Sequence, residues 1–267
     1  MIAAPTARRG RAKAPLLALL AVCVCVTTLL AAPPEPSPDF GDDLVVRKLG
    51  PGVWLFVTFE PGEKDERISA NGLLVTTGKL SFLIDTGWDA AQTRLLLDWA
   101  DKTLGQPVEH VIVTHYHPDR TGGLEAVYER PVVVHGHAGT SEALSAADRP
   151  RLHWTFEFEE RLELGGEKIH LFYPGPGHSP DNIVVWLPSR KILFVGCLVK
   201  SAAAQDLGYL AEADLKRWPQ AVHRVIERYR DAEILVPGHG IPGGVELLSH
   251  TMELLEQANA GQSETAP

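Results

Sequence analysis

Residues 111–123 read VIVTHYHPDRTGG, an apolar, β-branched run that ends in a glycine pair, with His115, His117 and Asp119 between. Val, Ile and Thr suit a pleated, buried backbone, so the run reads as a core strand. Three metal-capable side chains follow directly behind it. Positions 115 and 117 cannot share one face of a helix, because only residues three or four apart do so; a loop is required. Three ligands do not by themselves make a metal site, and the rest of the chain has to supply the remainder.

Candidates recur behind other apolar runs. His178 follows KIHLFYPGPG, Cys197 follows KILFVG, and His239 follows EILVPG. Strand ends converge on one edge of a sheet in many α/β sites. The surrounding glycines and prolines let the backbone turn sharply there. Alone, His178 or His239 would be an ordinary loop histidine; six such residues in equivalent positions make coincidence a poor account. His115, His117 and His178 plus a water complete a tetrahedral zinc with one open position, the pattern of catalytic sites. Asp119, Cys197 and His239 can form a second set of mixed softness, in which the thiolate favours zinc. His110, His135, His137, His153, His170, His223 and His250 fit no such scheme and read as structural or surface residues.

The 267 residues suit one large domain or two fused halves. The start does not belong to that core. A basic segment (MIAAPTARRGRAK), an apolar one (APLLALLAVCVCVTTLLAA) and a Pro-rich one (PPEPSPDFGDD) follow in the order of a secretory leader. The expected organisation is a signal peptide over 1–32, a linker over 33–43, a domain over 44–260 and a tail over 261–267. Cleavage removes Arg8, Arg9, Arg11 and Lys13, leaving 21 basic against 34 acidic residues and a net charge of −13. That balance makes nucleic acid a poor partner. Cleavage also removes Cys23 and Cys25, so Cys197 has no intramolecular disulfide partner. It is either a small buried hydrophobe or a thiolate held by metal.

Short β-rich runs open the mature chain: LVVRKL, VWLFVTF, NGLLVTT and LSFLID. DAAQTRLLLDWADKTLG reads as a helix capped by Asp89 and stopped at Gly105. VEHVIVT and PVVVHG are strands around a short helix, GGLEAVYE, and SEALSAAD is helical. RLELGGEKIHLFYPG is a hairpin turning at Gly165–Gly166. NIVVWLP and KILFVG are strands, EADLKRWPQAVHRVIERY a helix, EILVPG a strand and VELLSHTMELLEQA a closing helix. Two runs of strands, each followed by strand–helix alternation, imply two sheets face to face with helices outside.

With these residues in place, the chain resembles the zinc-dependent β-lactamases of class B, subclass 1. THYHPDR, PGPGHSPDNIVVWLP, GCLVKS and VPGHG carry the resemblance, which runs from Leu44 to Gln257. The stretch DLKRWPQAVHRVIERYRDAEILVPGHGIPGG is similar to the Verona-integron type. HxHxD alone marks only the superfamily. Arg120, where glyoxalase-II-like hydrolases carry another histidine, and Cys197 narrow it. The resemblance implies an α/β fold, an αββα sandwich of two mixed sheets with helices on the outer faces. It implies two zinc ions per chain, the first on His115, His117 and His178 and the second on Asp119, Cys197 and His239. Lys200 would bind the substrate's carboxylate, unless it is a solvated surface lysine. Asp85 and Arg120 would orient ligands or form a structural ion pair. Tyr209 stands where the family often has asparagine; it either donates its hydroxyl to the forming oxyanion or faces away. Asp119, Lys200 and Tyr209 are the side chains expected nearest the reacting bond. The stretch EPGEKDER, Glu60 to Arg67, is charged where relatives carry an apolar covering loop.

The implied activity is hydrolysis of the β-lactam ring amide of penicillins, cephalosporins and carbapenems by a metal-bridging hydroxide, without a covalent intermediate. The sequence holds no S-x-x-K, K-T-G or G-x-S-x-G, so the serine routes lack their signatures. The expected protein is a periplasmic monomer acting on a small molecule, with no membrane contact after leader cleavage. Two other readings stand beside it: a hydrolase of the same fold acting on lactones or thioesters, and a non-catalytic exported zinc-binding protein.

Overall fold

The computed structural model describes residues 1–2, 38–62 and 67–264. Apart from its first two residues, the expected leader lies outside the described residues. Seven strands form one sheet in chain order: β1 (Leu44–Gly50), β2 (Val53–Phe59), β3 (Ser69–Thr76), β4 (Ser81–Ile84), β5 (Val108–Ile112), β6 (Val133–His137) and β7 (Trp154–Phe156). β1 to β4 pair antiparallel and β4 to β7 parallel. The second sheet has the order β12-β11-β10-β9-β8, from β8 (Glu159–Leu164), β9 (Glu167–Phe172), β10 (Val184–Leu187), β11 (Ile192–Gly196) and β12 (Ile234–Pro237). Only its β11–β12 pair is parallel.

Side-chain alternation along each strand builds three apolar layers. Between the sheets, Leu55, Leu73, Phe82, Ile84 and Ile112 meet Ile169, Leu171, Val185, Phe194 and Val236. The outer face of the first sheet presents Trp54, Leu74, Leu83 and Val111 to α1 (Ala90–Lys102) and α3 (Leu124–Tyr128) through Leu96, Leu97 and Leu124. The outer face of the second presents Val184, Trp186, Leu193 and Leu235 to α5 (Trp218–Arg228) and α6 (Glu246–Glu264), through Trp218, Val222 and Leu255. The architecture is therefore the expected αββα sandwich of two mixed sheets.

Local chemistry sets the element ends. The Asp89 side chain accepts from the Gln92 N–H at 2.8 Å, capping α1. Gly105 follows that helix at φ +63°, a region glycine enters without steric cost. The β8–β9 hairpin turns on Gly165 and Gly166, both at positive φ. Two helix starts, the end of the last helix (Glu264, beyond the stretch read as helical) and one edge strand differ from the sequence reading. The helix expected from Glu212 begins only at Trp218, because residues before it are committed elsewhere. The Asp214 N–H donates to the Gly177 carbonyl at 2.8 Å, and its side chain accepts from Arg217 N–H at 2.9 Å. Pro219 then occupies the first turn, where its missing N–H costs nothing. The helix read from Ser141 starts at Ala138, as α4 (Ala138–Ala146), since His137 Nδ1 accepts from the Gly139 N–H and caps it. β7, three residues on the sheet edge, is too short to show alternation in the sequence.

Parallel pairing brings strand ends together. β4 and β5 end side by side, as do β11 and β12, and all four open on one edge of the sandwich. Backbone hydrogen bonds cross between the sheets there: Ile183 N–H to Thr114 O at 2.9 Å, and Asn71 N–H to Gly238 O at 2.8 Å.

Candidate metal centre

Five segments deliver side chains to this edge. His115 and His117 leave β5, and Asp119 and Arg120 lie in the single-turn α2 (Pro118–Thr121). His178 lies between β9 and β10, where Asn182 Oδ1 accepts from the Ser179 N–H and its amide donates to Gly175 O, bracketing the turn. Cys197 follows β11 and His239 follows β12. Gly238 is required between them: a Cβ there would stand 2.5 Å from Cys197 Sγ and 2.7 Å from an Arg120 nitrogen.

The six expected ligands fall into two adjoining sets. His117 Nδ1 lies 3.1 Å from both His115 Nε2 and His178 Nε2. A tetrahedral zinc with Zn–N bonds of roughly 2.0–2.1 Å separates its nitrogens by about 3.3 Å, so the spacing suits such an ion. Burial depresses the pKa of His115 and of His178 well below the ordinary histidine value, leaving them neutral, as ligands must be. In the second set, Asp119 Oδ2, Cys197 Sγ and His239 Nε2 are separated by 3.2, 3.3 and 3.6 Å. His239 Nδ1 bonds the Ser69 carbonyl at 2.5 Å, which places one proton there, and, against the effect of burial, Cys197 and Asp119 raise its pKa to about 9; a metal bound at Nε2 would take the place of the second proton. His115, His117 and His178, and likewise His115, Asp119 and Cys197, converge closely enough to hold a metal ion.

Arg120 is fully buried behind this arrangement. Its guanidinium reaches Asp119 at 2.7 Å, Cys197 Sγ at 3.2 Å, Asp85 at 3.3 Å, and the carbonyls of Asn71 and Gly238 at 2.7 and 2.8 Å. Burial alone would raise Asp119, yet Arg120 and His239 hold its carboxyl well below the usual range. Asp85 adopts φ +64°, a costly conformation for a side-chain-bearing residue. It is held there by the Thr114 N–H at 2.7 Å and the Thr114 hydroxyl at 2.9 Å. Burial raises its pKa to about 7, against the opposing pull of Arg120.

A cavity of about 620 Å³ opens over both sets, a size suited to a small molecule. Lys200 stands in its wall, with Nζ 5.4 Å from the Trp218 ring. Tyr209 does not face away: its ring meets His117 edge-on at 5.3 Å on the cavity wall. Of the charged stretch 60–67, residues 63–66 lie outside the described residues. Its flanks Glu60 and Ile68 line the cavity, and Arg67 pairs with Asp43.

Comparison with known proteins places this geometry. Residues 66–239 match the family model described as the metallo-beta-lactamase superfamily. The chain belongs to the metallo-β-lactamase superfamily. It is 39% identical over 212 residues to a protein named metallo-beta-lactamase type 2 from Bacillus sp. (strain 170), covering 79% of this chain and 82% of that one. A solved metallo-β-lactamase from Pontibacter korlensis superposes with a TM-score of 0.77 at 40% identity, over 80% of this chain and 99% of the other. The metallo-β-lactamase FIM-1 from Pseudomonas aeruginosa, solved in a mono-zinc form, superposes with a TM-score of 0.76 at 33% identity, over 81% and 96%.

Three contributors to the metallo-β-lactamase edge escaped sequence reading. Asn71 donates to the carbonyls of Pro237 and Gly240 at 2.9 and 2.7 Å, fastening the His239 turn to the other sheet. Asp181 accepts from the Tyr116 N–H at 3.0 Å and the Thr140 hydroxyl at 2.7 Å, fixing the backbone between His115 and His117. Glu212 meets His117 Nε2 at 2.7 Å. The only sequence signal was proximity: Asp181 sits three residues after His178, and Glu212 three after Tyr209.

Proposed function

We propose that this superfamily member is a subclass 1, class B β-lactamase that opens the ring amide of penicillins, cephalosporins and carbapenems with two zinc ions per chain. The supporting observation is the pair of adjoining three-residue sets under one cavity, whose lining includes His117, Asp119, His178, Cys197 and His239. The names of the relatives support the substrate class, and the mono-zinc form of the FIM-1 structure supports the metal. They favour β-lactams over the lactone or thioester reading.

In this reading His115, His117 and His178 hold the first zinc, and Asp119, Cys197 and His239 the second. When bound, zinc supplies Lewis acidity and lowers the pKa of water to roughly 7. The chain's own residues do the rest. Arg120 offsets the negative charge gathered on Asp119 and Cys197 and fixes their direction. Asp85 balances Arg120 in turn. Lys200 draws the substrate's carboxylate to the cavity wall, aligning the ring over the ligand sets. Tyr209, beside His117, offers its hydroxyl to the oxygen on which charge develops. Trp88, Ile68 and Val199 supply apolar wall and thin out bulk water. No side chain need attack the ring, so no acyl-enzyme forms.

The proposal extends to organisation. Residues 1–32 act as an export leader, 33–43 as a linker and 44–260 as the catalytic domain, with a tail over 261–267, and the mature enzyme works as a periplasmic monomer. The order of basic, apolar and Pro-rich segments supports export. Among the described residues no helix is long and apolar enough to cross a membrane. The test is a ring-opening assay of purified, zinc-supplied mature protein with one penicillin, one cephalosporin and one carbapenem. Turnover is expected; cleavage of a thioester or lactone with all three drugs untouched would contradict the reading.

A further inference from the structure

His117 differs from the other two histidines of its set in what holds its outer nitrogen. With Nδ1 turned to His115 and His178, its proton must sit on Nε2, and Glu212 Oε2 accepts it at 2.7 Å. His178 Nδ1 is buried with no partner, and His115 Nδ1 has only the Thr114 hydroxyl at 3.4 Å. Among the described residues, Glu212 is therefore the carboxylate aimed at the back of this set. Tyr116 shares the cavity wall with Glu212, and the two side chains interact: burial and the carboxylate raise the Tyr116 pKa, and the phenol helps to lower that of Glu212. Tyr116 is anchored on its other side: Asp181 accepts from its N–H at 3.0 Å, and its ring packs edge-on against His117 at 4.8 Å. Glu212 belongs to the segment that carries Tyr209. The Ala213 N–H closes a turn onto Leu210 O at 3.1 Å, and Asp214 N–H reaches Gly177 O, next to His178.

We propose that Tyr116 and Glu212 form a latch that sets the His117 tautomer for metal binding and fastens the Leu207–Ala213 loop over the centre. Glu212 is thus a positioning residue, and the loop bearing Tyr209 is coupled to the three-histidine set. This rests on reading that set as a metal site. Removing Glu212 frees the His117 ring to rotate or to carry its proton on Nδ1, and it releases the loop. Carboxylates that bond the outer nitrogen of a metal-binding histidine are typically worth ten- to a hundredfold in metal affinity.

The test is competition for zinc between the apo protein and a chromophoric chelator, in wild type, Glu212→Gln, Glu212→Ala, Tyr116→Phe and the double variant Tyr116→Phe/Glu212→Ala. Glu212 is on the surface, so folding is not at stake. The Glu212→Ala change is expected to weaken one zinc-binding constant by roughly ten- to a hundredfold and to leave the other within twofold. Glu212→Gln should lose less, since its amide oxygen still accepts from Nε2–H. Tyr116→Phe should cost about threefold, in line with the net worth of one hydrogen bond, and nothing further in the Glu212→Ala background. At saturating zinc, Glu212→Ala should raise KM for a β-lactam more than it lowers kcat. Zinc constants unchanged in Glu212→Ala, or a Tyr116→Phe effect that persists without Glu212, would overturn the latch. The zinc arm stands apart from the β-lactam reading: a wild type that turns over no β-lactam sinks that reading while the binding constants still decide the latch.

Discussion

Cys197 shows how one residue's meaning changes with its surroundings. In the sequence it could be a buried hydrophobe, and it is indeed 2% exposed. Yet its sulfur faces Arg120 at 3.2 Å, His239 at 3.3 Å and Asp119 at 3.6 Å, a polar pocket that no hydrophobe would select. A hydroxyl is a much poorer soft ligand than a thiolate. Cys197→Ser should therefore lose one zinc per chain by elemental analysis while retaining the other, with a large fall in turnover; unchanged stoichiometry would return Cys197 to the role of filler. Lys200 is the second residue whose role a single change can decide. Burial lowers its pKa, although the Cys197 sulfur opposes that, and its Nζ lies in the cavity wall. A charge-assisted hydrogen bond is worth about 1.5–3 kcal/mol, so Lys200→Ala should cost on the order of ten- to a hundredfold in kcat/KM. The loss should fall mainly on KM, because the contact exists in ground and transition states alike. Lys200 is half-buried, which places the expected value toward the lower end. An unaltered KM for every β-lactam would move the carboxylate to another partner.

At the scale of elements, two parallel strand pairs carry the design. β4–β5 and β11–β12 each end at the same edge, so the ends of β5, β11 and β12 present ligands, and that of β4 presents Asp85, without long loops. A cost of this arrangement appears on the neighbouring pair β5–β6, where His110 Nδ1 and His135 Nε2 lie 3.0 Å apart and His135 Nδ1 has no partner. Burial lowers the His135 pKa to about 4, with His110 and His153 adding to the effect. Because the folded value lies below the unfolded value of about 6.5, the unfolded chain binds the proton first as pH falls. The contribution is thus fully present above pH 6.5 and is lost between 6.5 and about 4. At 1.36 kcal/mol per pH unit the loss has an upper bound of about 3 kcal/mol. His135→Leu should flatten the denaturation free energy against pH within that window relative to wild type; an unchanged slope would show that another group governs it.

At the scale of the whole molecule, the strand-end ligands were legible in sequence because each sits beside its own strand and turn. Period-two apolar runs, Asp89 before a helix and Gly165–Gly166 between strands were equally local signals, and they led to the αββα sandwich. What remained hidden acts across the chain. Glu212 meets His117 over 95 positions and Asn71 meets Gly240 over 169, and each would pass for a surface or strand polar residue when read alone. The delayed start of α5 has the same origin, since Asp214 is committed to Gly177 rather than to a helical turn. All of these long-range contacts serve one edge, the edge assigned above to zinc-dependent hydrolysis of β-lactams. The most direct measurement is to strip the mature protein with a chelator, return zinc in measured equivalents and follow ring opening of a carbapenem throughout. Turnover should be absent without zinc and should rise to saturation by two equivalents per chain. Full turnover in the stripped protein, or none at any zinc level, would contradict that assignment.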